Sequence, residues 1–148
     1  MPKYKLIHRL KMSKLDTENV LKEIDRIHQF SFEAIEQKRF DNYITIFSEK
    51  LTYKQGNGKI IDKKQITKDT KVYFNRLKTV KSKYQRKDYS IEGNRFTEHL
   101  IQKTTVSIKV FFFFTKKWTI EREATYKWYK IEDNWKIEKV DIFKENVY

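Results

Sequence analysis

The stretch from Arg95 to Ile131 constrains the fold of this chain more than any other part. It contains two long runs rich in β-branched and aromatic residues, 95–114 and 118–131, which meet at a Thr-Lys-Lys corner. Such runs favour β-strands. The stretch is therefore predicted to form one long antiparallel hairpin, around which the remaining elements pack.

The polar residues of this hairpin fall on the faces where apolar residues predominate. Side chains alternate between the two faces of a strand, so Glu98 and Gln102 share a face with Phe96 and Val106, and Arg122 and Tyr126 share one with Trp118 and Trp128. A charge on an apolar face is costly unless it is paired. Arg122 is therefore expected to meet a carboxylate, and Glu98 is the nearest candidate.

The composition fits a single domain with an aromatic core. The chain has 148 residues, with 11 Phe, 9 Tyr and 3 Trp, and a chain of this length buries roughly two thirds of its unfolded surface. The expected organisation is a basic leader, residues 1–15, followed by one domain, residues 16–148.

The formal net charge of +13 raises the question of nucleic-acid binding. Lysines far outnumber arginines and are spread along the chain, whereas bidentate recognition of phosphates and bases favours arginine. The frequent Lys, Ile, Asn, Tyr and Phe all have AT-rich codons, which offers a compositional origin for the basicity. Nucleic acid is therefore an unlikely partner on the sequence alone.

The absence of cysteine excludes disulfides and thiolate metal sites. It favours an intracellular, cytoplasmic protein. Residues 1–15 lack the apolar region of a signal peptide, and no run is long enough for a membrane span. The expectation is a protein with no cofactor, no metal and no transmembrane segment.

Helical spacing and turn residues divide the rest of the chain. Asp16 or Thr17 is predicted to cap a long amphipathic helix that ends near Gln37, and Asp41 to cap a short second one. Asp62 is predicted to cap a third helix that ends by about Lys81. Strands are expected at 48–55, 59–61, 83–92 and 135–143, separated by Gly-Asn-Gly, Gly-Asn and Glu-Asp-Asn turns, with a bulge near 138 or 139.

This order predicts an α+β domain. Three N-terminal helices are expected to pack against one face of a strongly curved, mainly antiparallel sheet, which forms a cone. A cavity is expected at the wide end of the cone.

The run 39–53, the Gly58-Lys59 turn, the capped helix after it and the run 126–137 resemble the nuclear-transport-factor-2-like superfamily, whose fold is also described as cystatin-like. The resemblance covers nearly all of 16–143, and its members include polyketide-cyclase-like and steroid-isomerase-like proteins. The resemblance implies the cone fold, and fold does not imply function.

The catalytic residues of three groups in this superfamily are not matched. The positions used by steroid-isomerase-like members correspond to Ser31, Gln55 and Tyr126, and Gln cannot act as a base. Epoxide-hydrolase-like members use an Arg-x-Asp motif, where this chain has Arg122-Glu-Ala. Scytalone-dehydratase-like members use paired histidines, and of the three histidines only His28 is predicted to lie inside the cone.

Two groups of residues are candidates for function. The inward polar residues could line a pocket in which Arg122 anchors an anionic or carbonyl ligand and His28 acts as acid or base; alternatively, they form a buried ion pair and a core histidine. The outer sheet face is expected to form a homodimer, because its apolar residues would otherwise face water. The predicted pocket residues are His28, Tyr43, Glu98, Gln102, Arg122 and Tyr126, and the predicted interface residues are Ile101, Phe111, Phe113, Tyr129 and Ile131.

Three functions remain open on the sequence alone. The first is a domain that binds a small organic ligand, the second is an accessory protein with a filled core, and the third is an isomerase, dehydratase or hydrolase that uses His28 or Glu98. A cavity lined by Arg122 and His28 would favour the first or the third.

Overall fold

The computed structural model describes residues 3–111 and 114–148, with side chains from residue 16 onward. The helices are α1 (Lys3–Glu36), α2 (Phe40–Ile44) and α3 (Lys63–Arg76). The strands are β1 (Phe47–Lys54), β2 (Ile60–Ile61), β3 (Leu77–Glu92), β4 (Arg95–Phe111), β5 (Phe114–Ile131) and β6 (Asn134–Val147).

The six described strands form one sheet in the order β2-β1-β6-β5-β4-β3. Neighbouring strands are antiparallel except β1 and β6, which are parallel. The predicted hairpin is β4 and β5, near the centre of the sheet. The α+β architecture and the mainly antiparallel sheet are therefore confirmed.

Most of the predicted turns are present. Gly58 and Gly93 have φ of 86° and 60°, a conformation that glycine adopts without steric cost. Glu132 and Asp133 also have positive φ, in the two-residue connection between β5 and β6. The predicted Thr-Lys-Lys corner is wrong, because Thr115 pairs with Lys109 within the hairpin. Phe112 and Phe113, for which the alternation assigned faces, lie outside the described residues.

The helix boundaries differ from the predicted ones at several ends. Helix α1 runs through Asp16, so the predicted cap there is wrong, and Arg39 rather than Asp41 precedes α2. Asp62 does cap α3, because its side chain accepts a hydrogen bond of 2.8 Å from the backbone nitrogen of Gln65. Helix α3 ends at Arg76, and the chain becomes extended at once.

The core lies between α1 and one face of the sheet. Ile24 of α1 is fully buried against a cluster that includes Phe96, Trp128 and Val140. A second cluster contains Leu77, Val80 and Val106. Leu77 and Val80 fall within the predicted third helix, but they lie on β3.

Candidate functional site

A cavity of about 480 Å³ lies between the inner face of the sheet and the helices. Its walls come from α1, α2 and α3 and from the loop after β1, together with strands on both sides of the hairpin. The apolar part of the lining is Ile35, Ile61, Ile66, Phe74, Val80, Ile120 and Ile142, and the polar part includes Tyr43, Tyr53, Gln55, Asn57, Asp69, Thr70, Tyr73, Ser82, Gln102, Thr104, Arg122 and Glu145.

Arg122 is the cation in this lining, and it pairs with Glu145. Its Nε donates to Glu145 Oε2 at 2.6 Å, and the Arg122 side chain remains 37% exposed. A guanidinium has five N–H donors, so this bond leaves other donors of Arg122 that can face a ligand. Gly56 packs against Glu145, since a Cβ at this glycine would lie 3.0 Å from Glu145 Cβ.

The predicted pairing of Arg122 with Glu98 is wrong. Arg122 lies opposite Gln102 on β4, whereas Glu98 lies opposite Tyr126. The two charged residues are therefore separated by four positions along the hairpin, or about 13 Å.

Two bulges in β6 place Glu145 beside Arg122. The turn pairs Ile131 with Asn134, and without bulges that register would place Phe143 opposite Arg122. The register shifts once between Lys127 and Trp128 and once between Glu123 and Ala124. The first shift is the predicted bulge near 138; the second gave no signal in the sequence.

Tyrosine hydroxyls dominate the polar wall near Arg122. Burial raises the pKa of Tyr43, of Tyr53 and of Tyr73 above the ordinary tyrosine value, and Arg122 opposes each rise. Burial lowers the pKa of Arg122, but Tyr53 and Glu145 outweigh it, so the net shift is upward. Near neutral pH the cavity thus presents neutral O–H donors and a guanidinium cation.

Glu98 has a different environment, although it lies on the same face of the sheet. It is fully buried and accepts three hydrogen bonds: from His28 Nε2 at 2.8 Å, from Trp128 Nε1 at 2.6 Å and from Arg86 Nε at 2.9 Å. Arg86 also donates to Asp25 at 2.8 Å. Both oxygens of the carboxylate are thus hydrogen-bonded, and the carboxylate is paired with a cation, which is the condition for burying a charge at low cost.

Sequence reasoning missed Arg86. A regular alternation along the predicted strand 83–92 puts Tyr89 and Ile91 on one face and Arg86 on the other. The β3–β4 register shifts between Arg86 and Asp88, so the inward face changes from even to odd positions at Lys87. Three successive residues, Arg86, Lys87 and Asp88, are all polar, which hides the shift in the pattern.

His28 is surrounded by aromatic rings. Its ring lies 4.4 Å from Tyr84, 5.3 Å from Trp128 and 6.0 Å from Tyr126. Tyr126 in turn donates a long hydrogen bond of 3.4 Å to Gln102 Oε1, and Gln102 lines the cavity. Tyr126 therefore lies between the histidine and the cavity.

The structure divides the six predicted pocket residues into two groups. Tyr43, Gln102 and Arg122 line the cavity, and His28, Glu98 and Tyr126 are absent from its lining. The inward alternation predicted for the hairpin agrees with the observed burial. Whether an inward residue lines the cavity or packs around Glu98 depends on the register between the strands, and the alternation alone does not give that register.

Three of the predicted interface residues, Ile101, Tyr129 and Ile131, lie on the outer face. The register shift between Lys109 and Phe111 pairs Phe111 with Phe114, so the alternation that assigned Phe111 to the outer face does not hold there. Tyr129 lies opposite Arg95, and Ile131 is next to the β5–β6 turn. Ile101 lies near the middle of β4, and Phe111 lies at the far end of the hairpin. Phe113 lies outside the described residues. The outer face also holds a hydrogen bond of 2.9 Å between His99 Nε2 and Glu123 Oε1.

Two searches among the described residues give negative results. No group of three His, Asp or Glu side chains is placed to hold a metal ion. In the same part of the chain, every helix is too short or too polar to cross a membrane.

No protein-family model and no curated protein matches the sequence. Several solved structures are similar in fold. A putative scytalone dehydratase from Novosphingobium aromaticivorans matches with a TM-score of 0.77 and 8% identity, over 90% of this chain and 90% of that one. A putative dehydratase from the NTF2-like family of Streptomyces avermitilis matches with a TM-score of 0.68 and 7% identity, over 84% and 95%.

A third similar structure is a nuclear transport factor 2 (NTF2-like) superfamily protein from Salmonella enterica. It has a TM-score of 0.69 and 16% identity, and the match covers 85% of this chain and 91% of that protein. Identities this low carry information on the fold alone. The chain has the α+β fold of the nuclear-transport-factor-2-like proteins.

Proposed function

We propose that this protein binds a small, mostly apolar organic compound that carries a carbonyl or carboxylate group. The observation that carries the proposal is the cavity of about 480 Å³, with Arg122 in its wall. Cavities of this size, in which apolar and aromatic side chains surround convergent polar groups, are typical of ligand sites. An accessory protein with a filled core would lack such a space.

The polar groups of the cavity indicate the ligand's chemistry. Arg122 and the hydroxyls of Tyr43, Tyr53 and Tyr73 are hydrogen-bond donors, which suit an oxygen acceptor. Glu145 already compensates the charge of Arg122. A neutral carbonyl can therefore bind without disturbing this pair, whereas a carboxylate must compete with Glu145.

A titration with an aromatic ketone tests the proposal. Calorimetry with acetonaphthone is expected to show saturable binding at one site per chain. Thr70→Trp should abolish it, because Thr70 lines the cavity and an indole would fill the space. Lys71→Trp, at the neighbouring exposed position of α3, should bind as the unchanged protein does. Equal binding by both variants would place the ligand elsewhere.

A dehydratase-type enzyme is the second candidate. His28 and Glu98 form a histidine–carboxylate pair, and two of the similar structures are named as putative dehydratases. Against this candidate, both carboxylate oxygens of Glu98 already accept hydrogen bonds from His28, Trp128 and Arg86, and Tyr126 lies between His28 and the cavity. Ligand binding without catalysis is therefore the better-supported function.

We also propose that the protein forms a homodimer through the outer face of the sheet. The support is the apolar surface on that face. Ile101 and Tyr129 are partly exposed there, and Ile131 is 44% exposed. Sedimentation at micromolar concentration is expected to show a dimer. Ile101→Glu should convert it to monomer, and Val72→Glu on α3 should not. A monomer in the unchanged protein would refute the dimer.

A further inference from the structure

The far end of the β4–β5 hairpin projects beyond the sheet. The last pair between β3 and β4 joins Leu77 and Ile108, and β6 pairs with β5 only from Ile120 onward, with one further contact at Thr119. Among the described residues, 109–111 thus pair only with 114–115, and 116–118 pair with 106–108 of β4 but have no strand on their other side. We name the segments 109–111 and 114–118 the ribbon.

The described residues at the ribbon's end are apolar and exposed. Phe111 is 72% exposed, Phe114 is 68% exposed and Val110 is 46% exposed. The Phe111–Phe114 pair lies three residues beyond Ile108, a projection of about 10 Å. Exposed apolar side chains gain free energy when they leave water for an apolar environment. An isolated two-stranded ribbon is also only marginally stable in water, so such an environment would stabilise the ribbon.

The same end of the molecule is strongly basic. Residues 70–87 and 99–120 contain no Asp or Glu, and these segments include the start of β3 and the ribbon. The nearest carboxylates on β5 and β6 are Glu121 and Glu145, and both are hydrogen-bonded or ion-paired. The exposed cations at this end are Arg76, Lys78, Lys81, Lys109, Lys116 and Lys117.

We propose that the ribbon docks the protein onto an anionic lipid surface. The Phe111–Phe114 end would enter the boundary between headgroups and acyl chains, where apolar groups of peripheral proteins penetrate by about 5–10 Å. Lys109, Lys116 and Lys117 lie two or three positions back from the phenylalanines, at the level of the headgroups. Lysine stems extend along an apolar surface while the charge stays in water. Each lysine near an anionic surface adds attraction.

The charge and the shape of the ribbon favour lipid over other occupants. A second copy of this chain would bring the same lysines against each other. A single-stranded nucleic acid is usually held in a groove with stacking aromatics, and the ribbon is a projection. A lipid surface supplies both an apolar layer and the opposite charge.

Vesicle co-sedimentation of the full chain tests the proposal. Binding is expected to vesicles of phosphatidylcholine with about one third phosphatidylserine, and to be weak for phosphatidylcholine alone. The double variant Phe111→Ser, Phe114→Ser should weaken binding at least about tenfold. The triple variant Lys109→Gln, Lys116→Gln, Lys117→Gln should weaken it roughly a hundredfold.

Matched controls change the same number of groups elsewhere. The variant Phe30→Ser, Ile60→Ser removes two other exposed apolar residues, and the variant Lys64→Gln, Lys68→Gln, Lys71→Gln removes three exposed lysines of α3. The apolar control should bind vesicles as the unchanged protein does, and the lysine control should lose less than about threefold, since long-range charge alone is affected.

Tryptophan fluorescence gives an independent readout. Trp128 and Trp135 are buried in the core, and Trp118 packs partly buried against Leu77, Val80 and Val106. Phe114→Trp places an indole at the exposed end of the ribbon. Anionic vesicles should shift the emission of this variant to shorter wavelength, and phosphatidylcholine vesicles should not.

Three outcomes would overturn the proposal. The first is absence of binding to the anionic vesicles. The second is that the Phe111→Ser, Phe114→Ser variant no longer forms a dimer but still binds vesicles. This result would mean that the ribbon contacts a second copy of the chain and not lipid. The third is preference for a single-stranded oligonucleotide over vesicles, lost in the same variant.

Discussion

Replacing Glu98 with alanine is expected to lower the free energy of unfolding by about 3–5 kcal/mol and Tm by roughly 10 °C or more. The substitution leaves Arg86 with a partly uncompensated charge and removes the acceptor of His28 and Trp128. Deleting one partner of a buried ionic network is costly, because the desolvated groups that remain cannot recover their bonds to water.

Glu123→Ala is the matched control for this experiment. Glu123 accepts from His99 Nε2 at 2.9 Å, much as Glu98 accepts from His28, but its side chain is 24% exposed on the outer face. The expected loss is about 1 kcal/mol or less. Chemical denaturation of both variants measures the difference. We call Glu98 and its three donors, His28, Arg86 and Trp128, the Glu98 cluster. Equal, small losses in both variants would mean that the hydrogen bonds of this cluster do not stabilise the fold.

Replacing Arg122 with alanine is expected to weaken acetonaphthone binding by roughly tenfold to a hundredfold, the value of a hydrogen bond to a charged group. The change should leave the protein folded, since Arg122 is partly exposed. Naphthalene, which has no acceptor, should bind both proteins alike. Calorimetry with the two compounds separates loss of the anchor from collapse of the cavity.

Glu145→Gln extends the same test to charged ligands. Glu145 competes for Arg122 with any carboxylate, so removing its charge should strengthen naphthoate binding several-fold and leave acetonaphthone nearly unchanged. His28→Gln should alter neither affinity by more than about twofold, because His28 does not line the cavity. If His28→Gln strongly weakened binding of either ligand while Arg122→Ala bound both normally, the ligand would bind beside the Glu98 cluster and not in the cavity.

The sequence predicted what depends on alternation and on turn residues. The period of two placed Glu98, Gln102, Arg122 and Tyr126 on the inner face. The glycine turns placed the connection between β1 and β2 and the connection between β3 and β4. These patterns are local, and each is visible within a few residues.

The pairing of charges could not be predicted because it depends on accumulated register. The unpredicted bulge at Phe143 moves β6 by one residue and brings Glu145, not Lys144, opposite Arg122. The bulge at Lys87 turns Arg86 inward, to Glu98. A single extra residue reverses every face beyond it, so two unrecognised bulges were enough to assign the carboxylates wrongly.

A crystal structure of the protein soaked with acetonaphthone would show where the ligand binds. Ligand density is expected within the cavity, with the carbonyl oxygen within hydrogen-bond distance of Arg122 and the rings against Ile66 and Val80. An empty cavity at saturating ligand, or density beside His28 and Glu98, would contradict the proposed function.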